Sequence, residues 1–283
     1  MRNYMKIFSP VGILACALAL LAAAVSPEPS TVQVPIIMYH SLSGSGNSTS
    51  IDGKSFEADL HYLQTHGFEA VTLSQLADFV HHNIPLPPRP VVLTFDDGYY
   101  NNYAVGLPLA QLYSMPIVVS VIGKNTEIWS ETPYADMRHG HVTWAQICEM
   151  VHSGLVEIAN HTWDLHKNEN GRKGAAIRPG EGIAQYRALL EADIGRLQAA
   201  LKEHCNITPI GFVYPFGATC PEATDILAEM GFLVTLSPHD GINTLTHGDT
   251  ACLYNLRRYN RTPGRSVEAI LTPLQRQSSV AQS

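Results

Sequence analysis

From residue 34 onward, short apolar runs alternate with segments of helical period. The runs Pro35–Tyr39, Glu69–Leu73, Val91–Phe95, Ile117–Ile122, Leu155–Ala159, Gly211–Tyr214 and Leu233–Leu236 predict strands. Several are apolar without alternation, as strands covered on both faces are. Helix starts are expected at Ser55 before Phe56–His66, at Ser74 before Gln75–His81, and at Thr143 with Gln146 as a capping box. Pro221 opens a further helical segment that Gly231 closes, and the longest helix is expected over Gly182–His204. About seven β/α units in about 250 residues predict one α/β barrel-like domain with a parallel sheet.

The N-terminus stands outside this pattern. Arg2 and Lys6 precede an apolar run from Val11 to Val25 that ends in small residues, the layout of a secretory signal. The run falls short of the roughly 20 residues of a spanning helix, and Pro10 sits at its edge, so export is expected, with an uncleaved anchor as the alternative. Cys16 after Ile13-Leu14-Ala15 loosely suggests a lipid-attachment site, although the apolar residues continue past it. The expected organisation is 1–26 signal peptide or anchor, 27–33 linker, and 34–283 one catalytic domain, in a secreted or cell-surface protein with membrane contact only if the first segment is retained.

Charge adds one exclusion. The chain carries 18 Lys+Arg against 25 Asp+Glu, a formal −7, with no basic run to track a phosphate backbone, so nucleic acid is not an expected partner. Cys148, Cys205, Cys220 and Cys252 permit disulfides in an exported chain, and the sequence does not pair them.

In such barrels chemistry collects on the loops after the strands. The polar residues standing there are His40, Asp96-Asp97-Gly98, Asn160-His161 and Pro215-Phe216-Gly217. Asp96 and Asp97 leave a buried strand side by side; paired carboxylates need a cation or a shared proton, while Asp-Gly alone also makes an ordinary solvent turn. His161 and His166 cannot share a helical face, since five residues turn a helix about 140° past a full circle. If His161 ends a strand and His166 lies in the following loop, both rings can turn to one point, as a metal held by two His and a carboxylate requires. Loop histidines on the surface are the plainer alternative.

The two motifs together, Thr94-Phe95-Asp96-Asp97-Gly98 and His161-Thr162…His166, resemble the polysaccharide deacetylases, the family-four carbohydrate esterases. The resemblance extends over about residues 34–270 and implies a distorted (β/α) barrel. It implies Asp96 as general base, and Asp97, His161 and His166 as ligands of a divalent metal, Zn²⁺ above all. The usual Arg before Tyr214-Pro215-Phe216-Gly217 and a late Leu-x-His motif are missing; His239 and His247 lie in polar sequence and are expected on the surface. Ile36-Ile37-Met38-Tyr39-His40 is instead similar to the branch that includes the poly-N-acetylglucosamine deacetylases, which makes His40 the candidate general acid. By the same resemblance Arg258, in Leu256-Arg257-Arg258-Tyr259-Asn260-Arg261, takes over the missing arginine's hold on Asp96, and the Phe216 N–H is the oxyanion donor. Tyr99, Tyr100, Trp163, Tyr214 and Leu236 are candidates for a wall around an acetyl methyl or a sugar face.

The function implied is metal-dependent removal of N-acetyl groups from an amino-sugar polymer or oligomer: poly-N-acetylglucosamine, peptidoglycan or a chitin-like glycan. The partner is thus a glycan, and no protein partner is called for. The alternatives are an O-acetyl esterase on acetyl-xylan or another glycan, and an exported glycan-binding protein without catalysis. The loops Ser41–Gly53, Ile122–Gly140 and Lys167–Gly182 are where substrate choice is expected to lie.

Overall fold

The central strands are buried along their whole length, and strand geometry sends their alternate residues to opposite faces of one curled sheet. The computed structural model describes residues 30–280, with side chains through residue 274. Segment 1–26, with Cys16, and the start of the expected linker lie outside the described residues. The strands are β1 (Thr31–Val34), β2 (Ile36–Tyr39), β3 (Glu69–Ala70), β4 (Pro90–Phe95), β5 (Ile117–Val121), β6 (Val156–Asn160), β7 (Asn168–Glu169), β8 (Arg172–Lys173), β9 (Gly211–Val213), β10 (Val234–Leu236), β11 (Asn243–Thr246) and β12 (Tyr259–Asn260). The helices are α1 (Gly53–Thr65), α2 (Leu73–His82), α3 (Leu107–Tyr113), α4 (Gly123–Glu131), α5 (Trp144–His152), α6 (Ile183–Cys205), α7 (Pro221–Glu229) and α8 (Val267–Val280).

The main sheet runs β10-β9-β6-β5-β4-β2-β12, parallel throughout, with β3 added to β4. Its two edges are joined by one piece of chain: Leu256 bridges Leu236 of β10, and three residues later β12 begins to pair with β2. On β4, Val91, Leu93 and Phe95 pack outward into a cluster with Phe56, Leu60, Ile147 and Ile270 of the surrounding helices. Val92 faces the opposite cluster, with Ile36, Val118, Ala159, Val213, Val234 and Leu236. Thr94 and Asp96 share the Val92 face by the alternation of a strand. The apolar lower half of the barrel interior therefore ends, at the C-terminal rim, in polar side chains.

Several local expectations shift by a few residues for identifiable reasons. Asp52, not Ser55, caps α1, because its backbone is extended and its carboxylate accepts the Ser55 N–H at 2.8 Å. Thr72 caps α2 in a capping box with Gln75, which cuts the expected Glu69–Leu73 strand to Glu69–Ala70; Ser74 instead donates its hydroxyl to Glu157. The Thr143–Gln146 capping box opens α5. Thr31–Val34, which overlaps the end of the stretch 27–33 expected as linker, is strand β1, paired antiparallel with β11. A disulfide joins Cys148 on α5 to Cys205 at the end of α6, while Cys220 and Cys252 are free thiols. Among the described residues no helix is long and apolar enough to cross a membrane.

Candidate active site

At the C-terminal rim the chain turns through the left-handed region at three non-glycine residues, Asp97 (φ 72°), Thr162 (φ 72°) and Phe216 (φ 55°). They follow β4, β6 and β9, the first separated from the other two by β5, and such strained positions persist only where the surroundings hold them. Gly98 continues the first turn at φ 64°, and a Cβ there would lie 3.0 Å from Val121. Only glycine fits the residue after the paired aspartates.

The two carboxylates have different partners. Asp96 is buried and held by Arg258, whose two terminal nitrogens donate to Oδ1 at 2.7 Å and Oδ2 at 2.9 Å. Ser120 donates its hydroxyl to Oδ1 at 3.1 Å. Each carboxylate oxygen has two lone pairs, so Oδ1 is fully engaged and Oδ2 keeps one free. Burial pushes the Asp96 carboxyl up, but the Arg258 guanidinium outweighs it and holds it below the usual carboxylate value. Arg258 is itself 1% exposed, and two further donors go to the Ser237 carbonyl and the Thr94 hydroxyl. Of the three nearby arginines, Arg261 pairs with Asp59 instead, and Arg257 packs against Gly241.

Asp97 faces two imidazoles. Its Oδ1 lies 3.5 Å from His161 Nε2 and 3.3 Å from His166 Nε2. His161 Nδ1 lies 2.8 Å from the Val213 carbonyl; the proton on Nδ1 leaves Nε2 with a lone pair directed at Asp97. Ligand atoms of the three residues fall within 4.8 Å of one another, the one such cluster among the described residues. A tetrahedral ion with ligands at about 2.0–2.1 Å separates its donors by about 3.3 Å. The residues therefore fit a zinc-like cation, and the greater exposure of His166, 24% against 2% for His161, leaves the site open on that side. Burial raises the Asp97 carboxyl, but its contact with His161 outweighs that and holds it far below its usual value. Burial lowers His161, yet the Asp97 and Asp96 carboxylates raise it overall; His166 is lowered by burial and by His161.

The remaining candidates divide. His40 is close enough to act electrostatically on both aspartates, its Nδ1 is buried with no hydrogen-bond partner among the described residues, and its carbonyl accepts from Asn102. The Phe216 ring lies 4.3 Å from that of His166. Tyr99 is half-buried; burial, and then the charge of the nearby Asp97 carboxylate, raise its phenol. Tyr100 is half-buried beside Tyr103. Leu236 is fully buried in the interior cluster. Two expected wall residues lie elsewhere. Tyr214 shares a strand face with Phe212, and the alternation turns both rings outward beneath α6 and α7. Trp163 packs into the outer cluster, with the Arg196 guanidinium 3.8 Å above its ring, and buttresses the loop from behind.

Three positions escaped the sequence reading, Ser120, Asp193 and His141, and Asn160 was read there without its role in the loop. Ser120 could have been found as the polar residue inside an apolar strand. Asn160 accepts the Thr162 N–H at 2.8 Å, and Asp193 on α6 accepts the Trp163 and Asp164 N–H groups at 2.8 and 2.9 Å, so both shape the loop between the histidines. His141, hydrogen-bonded to the Asp97 carbonyl, carries no sequence signal.

Known proteins match this geometry. The model of the polysaccharide deacetylase family matches residues 83–235, which span the paired aspartates, both histidines and the Pro-Phe-Gly turn. The chain belongs to the polysaccharide deacetylase family. A poly-beta-1,6-N-acetyl-D-glucosamine N-deacetylase of Escherichia coli is 26% identical over 223 residues, 71% of this chain but only 33% of that longer protein. Among solved structures, a de-N-acetylase from Aggregatibacter actinomycetemcomitans superposes with a TM-score of 0.72 at 26% identity, covering 85% of this chain and 99% of that one. The BpsB deacetylase domain from Bordetella bronchiseptica gives a TM-score of 0.65 at 30% identity, covering 80% and 94%.

Proposed function

We propose that this chain hydrolyses the N-acetyl groups of an amino-sugar polymer or oligomer, with the poly-N-acetylglucosamine type favoured by the relatives' substrate. The observation that carries the reading is the pairing of two differently held aspartates: one clamped by a buried arginine, the other facing two histidines with a free edge. Asp97, His161 and His166 would hold a divalent cation, Zn²⁺ by the chemistry of the donor set, which supplies polarisation of the acetyl carbonyl and acidification of water. Asp96 Oδ2, the oxygen with a lone pair left, takes the proton of the attacking water, and Arg258 keeps that carboxylate ionised. The Phe216 N–H, in a turn already held in its strained conformation, donates to the developing oxyanion. His40 returns a proton to the leaving amine. Export accompanies this reading: the signal-like N-terminus and the Cys148–Cys205 disulfide both suit an oxidising compartment.

The test is acetate release from N-acetylglucosamine oligomers, measured on the metal-stripped chain, after Zn²⁺ return, and with Asp96→Asn. Zinc-dependent release that falls at least about a hundredfold in the variant is the expected outcome. Cleavage of acetyl-xylan alone would move the assignment to an O-acetyl esterase, and silence on both substrates would leave a binding protein.

A further inference from the structure

The Asp97 backbone is held by one member of a stacked pair of rings, Tyr99 and His141, of which His141 belongs to no expected site. His141 Nδ1 lies 2.9 Å from the Asp97 backbone carbonyl. The Tyr99 and His141 rings stack at 5.1 Å with 22° between their planes, and the two residues also form a backbone bridge. Behind His141, Asn125 Nδ2 on α4 lies 3.2 Å from His141 Nε2.

These contacts require one another. A carbonyl can only accept, so the His141 proton must sit on Nδ1, and Nε2 must then accept from the Asn125 amide. Asn125 thus supports, from Nε2, the tautomer that holds the Asp97 carbonyl. The hold matters because Asp97 has φ 72° and is followed by Gly98 at 64°; neither residue has a conformational preference that would keep the peptide in place unaided. A rotated Asp97 peptide would swing the carboxylate away from His161 and His166.

We infer that His141, supported from behind by Asn125, is a positioning residue that holds the strained Asp97 backbone so that its carboxylate faces the two ligand histidines. The inference rests on the metal-site reading above and extends it to residues outside the ligand set. It follows that part of the affinity for metal resides on α4 and on the segment before α5, remote in sequence from both ligand motifs.

The experiment titrates Zn²⁺ alone into the metal-stripped chain against a chromophoric chelator, with no turnover involved. His141→Phe keeps the ring stack on Tyr99 but removes the donor, and zinc should bind about ten- to hundredfold more weakly. His141→Asn returns an amide donor near the Nδ1 position and should recover most of the loss. Asn125→Leu, which removes the support at Nε2, should weaken binding by a smaller factor in the same direction. Circular dichroism shows that each variant is folded. Zinc affinity in His141→Phe within about twofold of the parent, or no recovery in His141→Asn, would overturn the inference. Absence of zinc binding by the parent chain would instead overturn the metal-site reading beneath it.

Discussion

Arg258 reaches across 162 positions of the chain to clamp both oxygens of Asp96. The reach is possible because the segment from Leu256 to Asn260 joins the two edges of the sheet and so delivers an inward-pointing residue to the barrel interior. The clamp has a sign. Burial alone would favour the neutral acid; the guanidinium reverses this and keeps the carboxylate charged below its ordinary pKa of about 3.9.

Arg258→Met should therefore let the Asp96 pKa rise. The charged base would then be lost as pH falls through the raised value, while in the parent it survives to lower pH. Below the raised value the loss grows about tenfold for each unit of pH, beyond any loss at pH 8. Profiles of kcat/KM between pH 5 and 8 for parent and variant decide this; equal losses at both ends would show that Arg258 does not set the basicity of Asp96. Removing one member of a buried ion pair also destabilises by about 3–5 kcal/mol, so folding is checked alongside.

Zinc should stabilise the folded chain through its ligands. Binding at a hundred times the dissociation constant adds about 2.7 kcal/mol, visible as a rise in Tm on adding Zn²⁺. His166→Ala removes the more exposed ligand and should abolish both that rise and the stoichiometric zinc found by elemental analysis. A variant that still retains zinc would exclude His166 from the ligand set.

Asp193 anchors the loop between the two histidines through the Trp163 and Asp164 N–H groups. Asp193→Ala leaves both without an acceptor and should cost about 2 kcal/mol, with Asp193→Asn milder because one amide oxygen remains to accept. Urea denaturation midpoints measure the difference. An unchanged midpoint in the alanine variant would mean that the loop is held otherwise.

The Cys148–Cys205 bond closes a loop of 57 residues, for which chain entropy gives about 4 kcal/mol. Reductant should lower Tm accordingly in the parent and leave a Cys148→Ala/Cys205→Ala variant unmoved. Equal melting of oxidised and reduced parent would show that α5 and α6 need no covalent link.

Much of the site was legible because its residues sit where strands end. An apolar run followed by Asp96-Asp97-Gly98, or by Asn160-His161, marks both the strand and the rim position of the polar group, since a barrel presents its strand ends together. Arg258 is not singled out by the sequence, because three arginines within five residues offer the same charge and only packing separates them. Tyr214 and Trp163 went to the wrong face: a single residue's phase on a short strand or in a left-handed turn decides which side it meets.

By itself the sequence determined the class of fold, the family motifs and the types of side chain available to a metal and a base. Periodicity and residue chemistry are local properties and need no partner to be read. The tertiary structure alone decided that Asp96 and Asp97 have opposite neighbours, that Arg258 rather than Arg257 or Arg261 enters the barrel, and that His141 and Asn125 stand behind Asp97. Each of these is a contact between segments distant in the chain, set by sheet curvature and strand phase, and neither quantity is written in any local stretch of residues.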